Sequence, residues 1–245
     1  MTHKTKGIVL RAIKYGETSL VVTIFTELFG IQTYMVNGVR TAKRTGSKAQ
    51  LYQPATLLQM EVYHNDLKGM QRIKESERSI MYVNLFNNVV RHSISLFMIE
   101  LLHKTLKQPE NNPELFYFCE EAFMSLDQTS ESIAANVPLY FSMHLCYFYG
   151  FRIDPPVNVS ELNYIDLVEG SFTDVQPHHP HFITGEEAVL TADILRVMQI
   201  NELHQIKLNS MRRRKLLHKY IEYYALHIQD FGTMRTLPVL EEVLG

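Results

Sequence analysis

The sequence contains few of the features that mark a secreted or membrane-embedded protein. Its only two cysteines, Cys119 and Cys146, lie far apart in apolar surroundings, so neither a disulfide framework nor a paired-thiolate metal site is indicated. No apolar run reaches the roughly 18 residues that a membrane-spanning helix needs, and the polar N-terminus has no apolar signal segment after it. We therefore expect a cytoplasmic protein.

Motifs of the common catalytic sites are also missing from the sequence. The chain has no Gly-x4-Gly-Lys-Ser/Thr loop, no Gly-x-Ser-x-Gly elbow and no His-Glu-x-x-His helix. Adjacent carboxylates such as Glu120-Glu121 fall on or near predicted helices, where they point in different directions and are typical of a solvated surface. The sequence favours a non-enzymatic protein, and an enzyme with an unrecognised site is the alternative.

Charge is unevenly distributed along the 245 residues. Residues 1–78 contain 12 Lys/Arg and 6 Asp/Glu, whereas residues 79–245 contain 12 and 20, so the net charges are +6 and −8. A basic segment joined to an acidic one can present a positive surface to an anionic polymer while the whole protein stays soluble. Chance drift in a short segment is the alternative explanation.

The first 78 residues have the turn signals and alternation of short β-strands. Five strands are predicted, at about residues 7–13, 19–26, 31–36, 54–63 and 70–75. No long helical segment separates them. Five short strands suggest a small closed barrel, for which the OB-fold is the commonest arrangement.

From residue 79 the apolar residues recur every three or four positions, which is typical of α-helices. Between residues 151 and 183 prolines and glycine interrupt this pattern, and only Tyr164–Val168 has the character of a strand. The predicted architecture is α+β, with an OB-fold β-barrel over residues 1–78 followed by an all-helical domain over residues 79–245. That domain contains an irregular insertion at about residues 151–183.

A basic loop between the third and fourth predicted strands is the most informative segment for function. It carries Arg40, Lys43, Arg44 and Lys48 without an acidic neighbour. Such a loop can neutralise several phosphates with release of counterions, which gives an affinity that depends on salt and little on sequence. A loop that only faces solvent is the alternative, although its uncompensated cations would repel one another.

Aromatic side chains of the barrel segment could serve as platforms for nucleic-acid bases. Because successive residues of a strand point to opposite faces, some of them must face the barrel core, and the sequence does not identify which. The candidates are Tyr15, Phe29, Tyr34, Tyr52 and Tyr63.

A second basic run, Arg212, Arg213, Arg214 and Lys215, lies on a predicted helix over residues 210–229. Successive residues turn by about 100° around a helix, so the four cations cannot share one face. Some of them could bind an acidic partner tail or DNA, and a solvated face is the alternative.

His178, His179 and His181 form a cluster in the insertion, but they lack the four ligands of a structural zinc site and are interpreted as solvated.

The chain resembles the RecO family. The segments Gly7–Leu20, Phe25–Gly30, Asn37–Arg40 and Gln53-Pro54 match the order and spacing of that family's motifs. The resemblance implies a nucleoid-associated recombination mediator that binds single- and double-stranded DNA, anneals complementary strands and assists RecA loading. It also implies two protein partners, RecR and the C-terminal tail of single-stranded DNA-binding protein.

Carried onto this sequence, the family's DNA-binding role falls on basic residues of the barrel. Separately, we expect the helical domain to supply a groove for an acidic, apolar partner tail, with Arg212, Arg213, Arg214 or Lys215 as contacts. A protein-interaction adaptor whose barrel binds other proteins is the alternative. The predicted DNA-binding residues are Arg11, Lys14, Arg40, Lys43, Arg44 and Lys48.

The sequence departs from the family in the insertion. Many RecO proteins carry two Cys-x-x-Cys pairs there, but residues 154–181 contain no cysteine. A protein without a metal cofactor is therefore expected, with the insertion held by packing of apolar side chains. Those side chains are Leu162, Ile165, Leu167 and Phe172.

Overall fold

A computed structural model describes residues 2–39, 47–157 and 163–245, with backbone only for residues 47 and 48. The chain divides into two compact units, one of residues 1–83 and 106–124 and the other of residues 84–105 and 125–245. Residues 106–124 thus join the first unit, although the sequence pattern groups them with the helical domain. The predicted domain boundary at residue 78 stays a prediction.

Five strands of the first unit form a closed barrel in the order β1-β2-β3-β5-β4. Neighbouring strands are antiparallel except β3 and β5, which run parallel through the pairs Tyr34–Gln71 and Met35–Arg72. The predicted five-stranded barrel is confirmed. The strands are β1 (Thr2–Tyr15), β2 (Ser19–Thr26), β3 (Gly30–Val36), β4 (Leu57–Tyr63) and β5 (Gln71–Arg78), and the short helix α1 (Ser47–Gln50) precedes β4.

The barrel core is filled by alternate residues of these strands. Val22 and Ile24 of β2, Tyr34 of β3, and Met60 and Val62 of β4 are all buried in one apolar cluster. Each strand therefore has one face in the core and one directed outward, as its alternation predicts.

The second unit is predominantly helical, as predicted from the three- and four-residue spacing. Residues 131–149 form α4, α5 and a 3-10 turn over Cys146–Tyr149, and Pro138 lies in the first turn of α5. The sequence pattern missed α8, whose N-terminal amides at Arg235 and Thr236 donate to the Glu100 carboxylate. The longer elements are α2 (Val89–Thr105), α3 (Pro113–Gln128), α4 (Glu131–Ala134), α5 (Val137–Leu145), α6 (Glu186–Arg196), α7 (Ser210–His227) and α8 (Thr236–Leu244), and the boundary between the two units falls within α3.

The insertion contains a small antiparallel sheet in place of the single strand that the sequence predicts. Its strands are β6 (Tyr164–Asp166), β7 (Ser171–Thr173) and β8 (Phe182–Thr184), in the order β7-β6-β8. Strands of three residues are too short to show alternation, which explains why two of them were missed. Ile165 and Leu167 are buried as predicted and Phe172 is half-buried, whereas Leu162 lies outside the described residues.

Within the described part of the chain, no helix combines the length and the apolar character that crossing a bilayer requires.

Two glycines with positive φ provide a matched test of the barrel's packing. Gly30 begins β3 with φ +61°, and a Cβ atom there would collide with the backbone carbonyl of Glu110, whereas Gly16 has φ +57° and open space around it. Gly16→Ala should cost only the left-handed strain, about 1 kcal/mol. Gly30→Ala should lower the free energy of unfolding by about 2 to 4 kcal/mol, because it adds a steric overlap. Equal losses for the two variants in urea unfolding would show that the overlap is relieved at no cost.

Candidate nucleic-acid interface

A β-bulge in β1 decides which of its side chains face outward. The pairing of β1 with β2 shifts by one residue between Val9, which lies opposite Ile24, and Arg11, which lies opposite Thr23. Val9 points into the barrel core, and the extra residue reverses the alternation, so Arg11 points outward. Beyond the bulge, residues 11–18 are all exposed, and the β1–β2 hairpin extends from the barrel.

The strand register places a row of residues side by side on the outer surface of the barrel, because directly paired residues point to the same face. The pairs Ile13–Val21, Val21–Met35, Met35–Arg72 and Arg72–Tyr63 connect all five strands. Arg11 and Tyr15 lie on the same face of β1 as Ile13. We call this set, Arg11, Ile13, Tyr15, Val21, Met35, Tyr63 and Arg72, the outer row.

Several cations of the barrel are exposed and form no ion pair with any residue that the structure describes. They are Lys4, Arg11, Lys14, Lys68 and Arg72. By contrast, Lys6 Nζ lies 3.0 Å from the Glu120 carboxylate. An exposed cation without a carboxylate neighbour keeps its full charge available for an anionic ligand.

The two predicted DNA-binding residues in the described part of β1 do not share a face. Arg11 belongs to the outer row, whereas Lys14 lies opposite Leu20, whose side chain points to the core side. The remaining predicted residues, Arg40, Lys43 and Arg44 together with the side chain of Lys48, lie outside the described residues, so their role stays a prediction. Lys68 and Arg72 were not singled out from the sequence, since they are isolated cations in a segment that also contains acids.

The aromatic candidates separate into inward and outward groups. Tyr34 and Tyr52 are buried, and burial raises the pKa of both hydroxyls. Phe29 is half-buried and stacks on His64, with ring centroids 3.8 Å apart. Tyr15 and Tyr63 are 59% and 49% exposed, so these two are the candidates that present a ring to solvent.

The β4–β5 loop, residues 64–70, is held in shape by the buried side chain of Gln71. Its amide nitrogen donates to the carbonyls of Asn65 (2.9 Å) and Lys68 (2.7 Å), and its amide oxygen accepts from the Asn65 N–H (3.0 Å). Between this loop and β3 lies a groove of about 540 Å³. Met35, Tyr63, Lys68 and Arg72 line it, so Lys68 of the loop and three residues of the outer row meet at one groove.

The second basic run is largely engaged in contacts within its own unit. Arg212 pairs with Glu186, and Lys215 Nζ lies 3.1 Å from the Glu187 carboxylate. Arg213 is half-buried, which lowers the pKa of its guanidinium, and it donates to the side chain of Asn136 at 3.2 Å. The carboxylates that compensate this run are more than 20 positions away, so sequence proximity could not reveal them.

Arg214, the remaining cation of the run, donates to the backbone carbonyl of Glu241 at 3.3 Å. It borders a shallow cleft between α7 and α8, whose apolar walls are Leu217, Leu240 and Leu244.

Two histidines of the insertion contact carboxylates, one within the insertion and one on α7. His179 Nε2 lies 3.2 Å from the Asp166 carboxylate, and His181 Nδ1 lies 2.6 Å from the Glu222 carboxylate. Burial favours a raised pKa for Asp166, but backbone N–H donors and His179 outweigh it, so the pKa of this carboxyl lies below its ordinary value. His178 is exposed. Among the described residues, no group of three His, Cys, Asp or Glu side chains is arranged to hold a metal ion.

Comparison with known proteins identifies one protein family over both parts of the chain. The family model described as Recombination protein O N terminal matches residues 1–80, and Recombination protein O C terminal matches residues 87–235. A DNA repair protein RecO of Christiangramia forsetii is 31% identical over 245 residues, which is 100% of both chains. Proteins of the same name from Bacteroides fragilis (31% over 247 residues) and Azobacteroides pseudotrichonymphae (30% over 243 residues) also match over 99% of each chain.

Proposed function

This chain belongs to the RecO family of DNA repair proteins, and from this membership we propose that it is a recombination mediator. In this role it binds single- and double-stranded DNA, anneals complementary strands and assists the loading of RecA. The protein is a non-enzymatic, nucleoid-associated component of the cytoplasm, and RecR is one of its partners.

The observation that carries this proposal is the set of unpaired cations beside exposed tyrosines on the barrel. Arg11 and Arg72 lie on the outer row, and Lys68 lies at the adjacent groove. Cations of this kind bind phosphates irrespective of base sequence, while Tyr15 and Tyr63 offer ring faces on which unpaired bases can stack. The surface therefore suits single-stranded DNA of any base sequence.

Annealing follows from this arrangement without covalent chemistry. Two complementary strands repel each other through their phosphates, and cations that contact the backbones reduce that repulsion. Because the contacts are with phosphates and with base faces, the hydrogen-bonding edges of the bases stay free to pair. The basic loop with Arg40, Lys43, Arg44 and Lys48 extends this surface in our proposal.

The cleft between α7 and α8 is the proposed site for the tail of single-stranded DNA-binding protein. The cleft has a volume of only about 10 Å³, so the tail would lie over it, with apolar side chains against the exposed edge of Leu244 and a carboxylate near Arg214. Arg212 and Lys215 are already paired with Glu186 and Glu187, and Arg213 donates to Asn136, so Arg214 is the residue of the run that we assign to contact with the tail.

The proposed DNA surface is tested by fluorescence anisotropy of a labelled single-stranded oligonucleotide across a salt series. A variant with Arg11→Gln, Lys68→Gln and Arg72→Gln should bind about tenfold or more weakly, and the slope of log K against log salt should become shallower by about 2, because two or more phosphate contacts are lost. Charge reversal at Arg40, Lys43, Arg44 and Lys48 should have the same type of effect.

The matched control is a double variant with Arg212→Gln and Lys215→Gln, which removes cations that are already paired. It should bind the oligonucleotide with unchanged affinity and slope. If the wild-type protein does not bind DNA even at low salt, the adaptor function takes precedence. If only the control variant loses binding, the outer row is not the DNA surface.

The insertion is proposed to hold together without a structural metal ion. Two of its three clustered histidines contact carboxylates, Tyr223 of α7 donates to the Phe151 carbonyl at 2.6 Å, and residues 154–181 contain no cysteine. Purified protein should contain no stoichiometric zinc in elemental analysis, and a chelator should leave its melting temperature unchanged, because structural zinc contributes directly to folding. Stoichiometric zinc, or a lower melting temperature with chelator, would contradict this proposal.

A further inference from the structure

The β4–β5 loop is held in one conformation by hydrogen bonds to several of its backbone groups. Besides the three hydrogen bonds of the Gln71 side chain, the Asn65 side chain accepts from the Leu67 N–H at 2.9 Å, and the Lys68 N–H donates to the Asn65 carbonyl at 3.0 Å. His64 fixes the start of the loop by stacking on Phe29 and by a 2.7 Å contact with Asp66. A loop tied at so many backbone groups resists displacement by a ligand.

Leu67 lies at the tip of this rigid loop and is 95% exposed. The exposed side chains around it include Asp66, which contacts His64; Lys68, which has no ion-pair partner among the described residues; and Met70, which is 42% exposed. A single exposed leucine is ordinary on a protein surface. An apolar tip on a fixed loop, next to free cations and beside a groove that contains Arg72 and Tyr63, is a more specific arrangement.

These features are the ones that a base wedge requires. Proteins that kink or open nucleic acids insert an apolar side chain between neighbouring bases, at a cost of a few kcal/mol of stacking for each step. The side chain must be exposed so that it can enter the stack, and its backbone must be held so that the bases yield instead of the loop. Cations must lie near enough to hold the flanking phosphates in place.

We propose that Leu67 is such a wedge, which inserts between adjacent bases of a DNA strand whose phosphates contact Lys68 and Arg72. This inference rests on the proposed function, since it assigns a further role to the same surface. The wedge interrupts stacking at the junction between single- and double-stranded DNA. An unstacked base beside Tyr63 can then be exchanged between strands, which is the step that annealing and strand pairing need.

The charges around the loop favour DNA over a protein partner as the ligand of Leu67. Lys68 and Arg72 are without carboxylate partners in the described structure, and the one carboxylate of the loop, Asp66, contacts His64 and is otherwise exposed. A protein partner would need both an apolar pocket for Leu67 and carboxylates placed to meet Lys68 and Arg72, whereas a DNA strand supplies phosphates and base faces at every nucleotide. Binding of a protein at this loop is therefore the alternative that the experiment must separate.

The test uses the full-length protein and a duplex with a single-stranded overhang that carries 2-aminopurine at the junction. Fluorescence of this base rises when it is unstacked from its neighbours. At saturating protein, confirmed by anisotropy, the wild type should raise the fluorescence severalfold. Leu67→Ala should abolish most of that rise, while its affinity falls by less than about tenfold, because phosphate contacts supply most of the binding energy.

Two further variants and a control define the wedge. Leu67→Met keeps a long apolar side chain and should retain the rise, whereas Gln71→Leu removes the hydrogen bonds that hold the loop and should lose the rise with Leu67 still present. Leu28→Ala, which truncates a leucine 41% exposed in the β2–β3 turn, is the matched control and should behave as the wild type.

The outcomes separate this proposal from the proposed function. If the wild type does not bind the oligonucleotide, the proposed DNA-binding function itself fails. If it binds but does not raise the fluorescence, or if Leu67→Ala raises it as the wild type does, DNA binding stands and the wedge is contradicted. A loss confined to binding of a protein partner in Leu67→Ala would assign the loop to that partner.

Discussion

One extra residue in β1 decides which side chains of this strand face outward from the barrel. Before the bulge, Val9 points into the core with Ile24 opposite it, and after the bulge Arg11 points outward with Thr23 opposite it. Without that residue the alternation would direct Arg11 to the side that Val9 occupies, where an unpaired guanidinium would be costly to bury. The outer row of the barrel, and with it the candidate interface, depends on this local irregularity.

Ion pairing divides the cations of the chain into those that serve the fold and those that are available to a ligand. Lys6 and Lys215 each have a carboxylate within about 3 Å. Arg11, Lys68 and Arg72 are exposed without such a partner in the described structure. Since an exposed ion pair adds little to stability, leaving these cations unpaired costs the fold little. They offer local positive charge on a barrel whose fifth strand also carries the exposed acids Glu75 and Glu77.

The sequence predicted the parts of the structure that depend on periodicity, namely the five barrel strands and the long helices. It could not predict the bulge at Leu10, because one added residue leaves the β-character of the segment unchanged. It identified the run at 212–215 as a cluster, but the partners of that run, Glu186 and Glu187, come close only through folding. Conversely, the sequence did not indicate Lys68 and Arg72 as binding residues, because their proximity to Tyr63 depends on strand register and on the shape of the β4–β5 loop.

Arginine-selective labelling with phenylglyoxal tests most directly whether the unpaired cations of the barrel contact DNA phosphates. Labelling of each arginine is measured by mass spectrometry with and without a saturating single-stranded oligonucleotide. DNA is predicted to protect Arg11 and Arg72 and to leave Arg196 and Arg212 unchanged, since the latter two belong to the second unit and are paired with Asp193 and Glu186. Equal labelling of Arg11 and Arg72 in the two states, with protection found at Arg212 instead, would contradict the account.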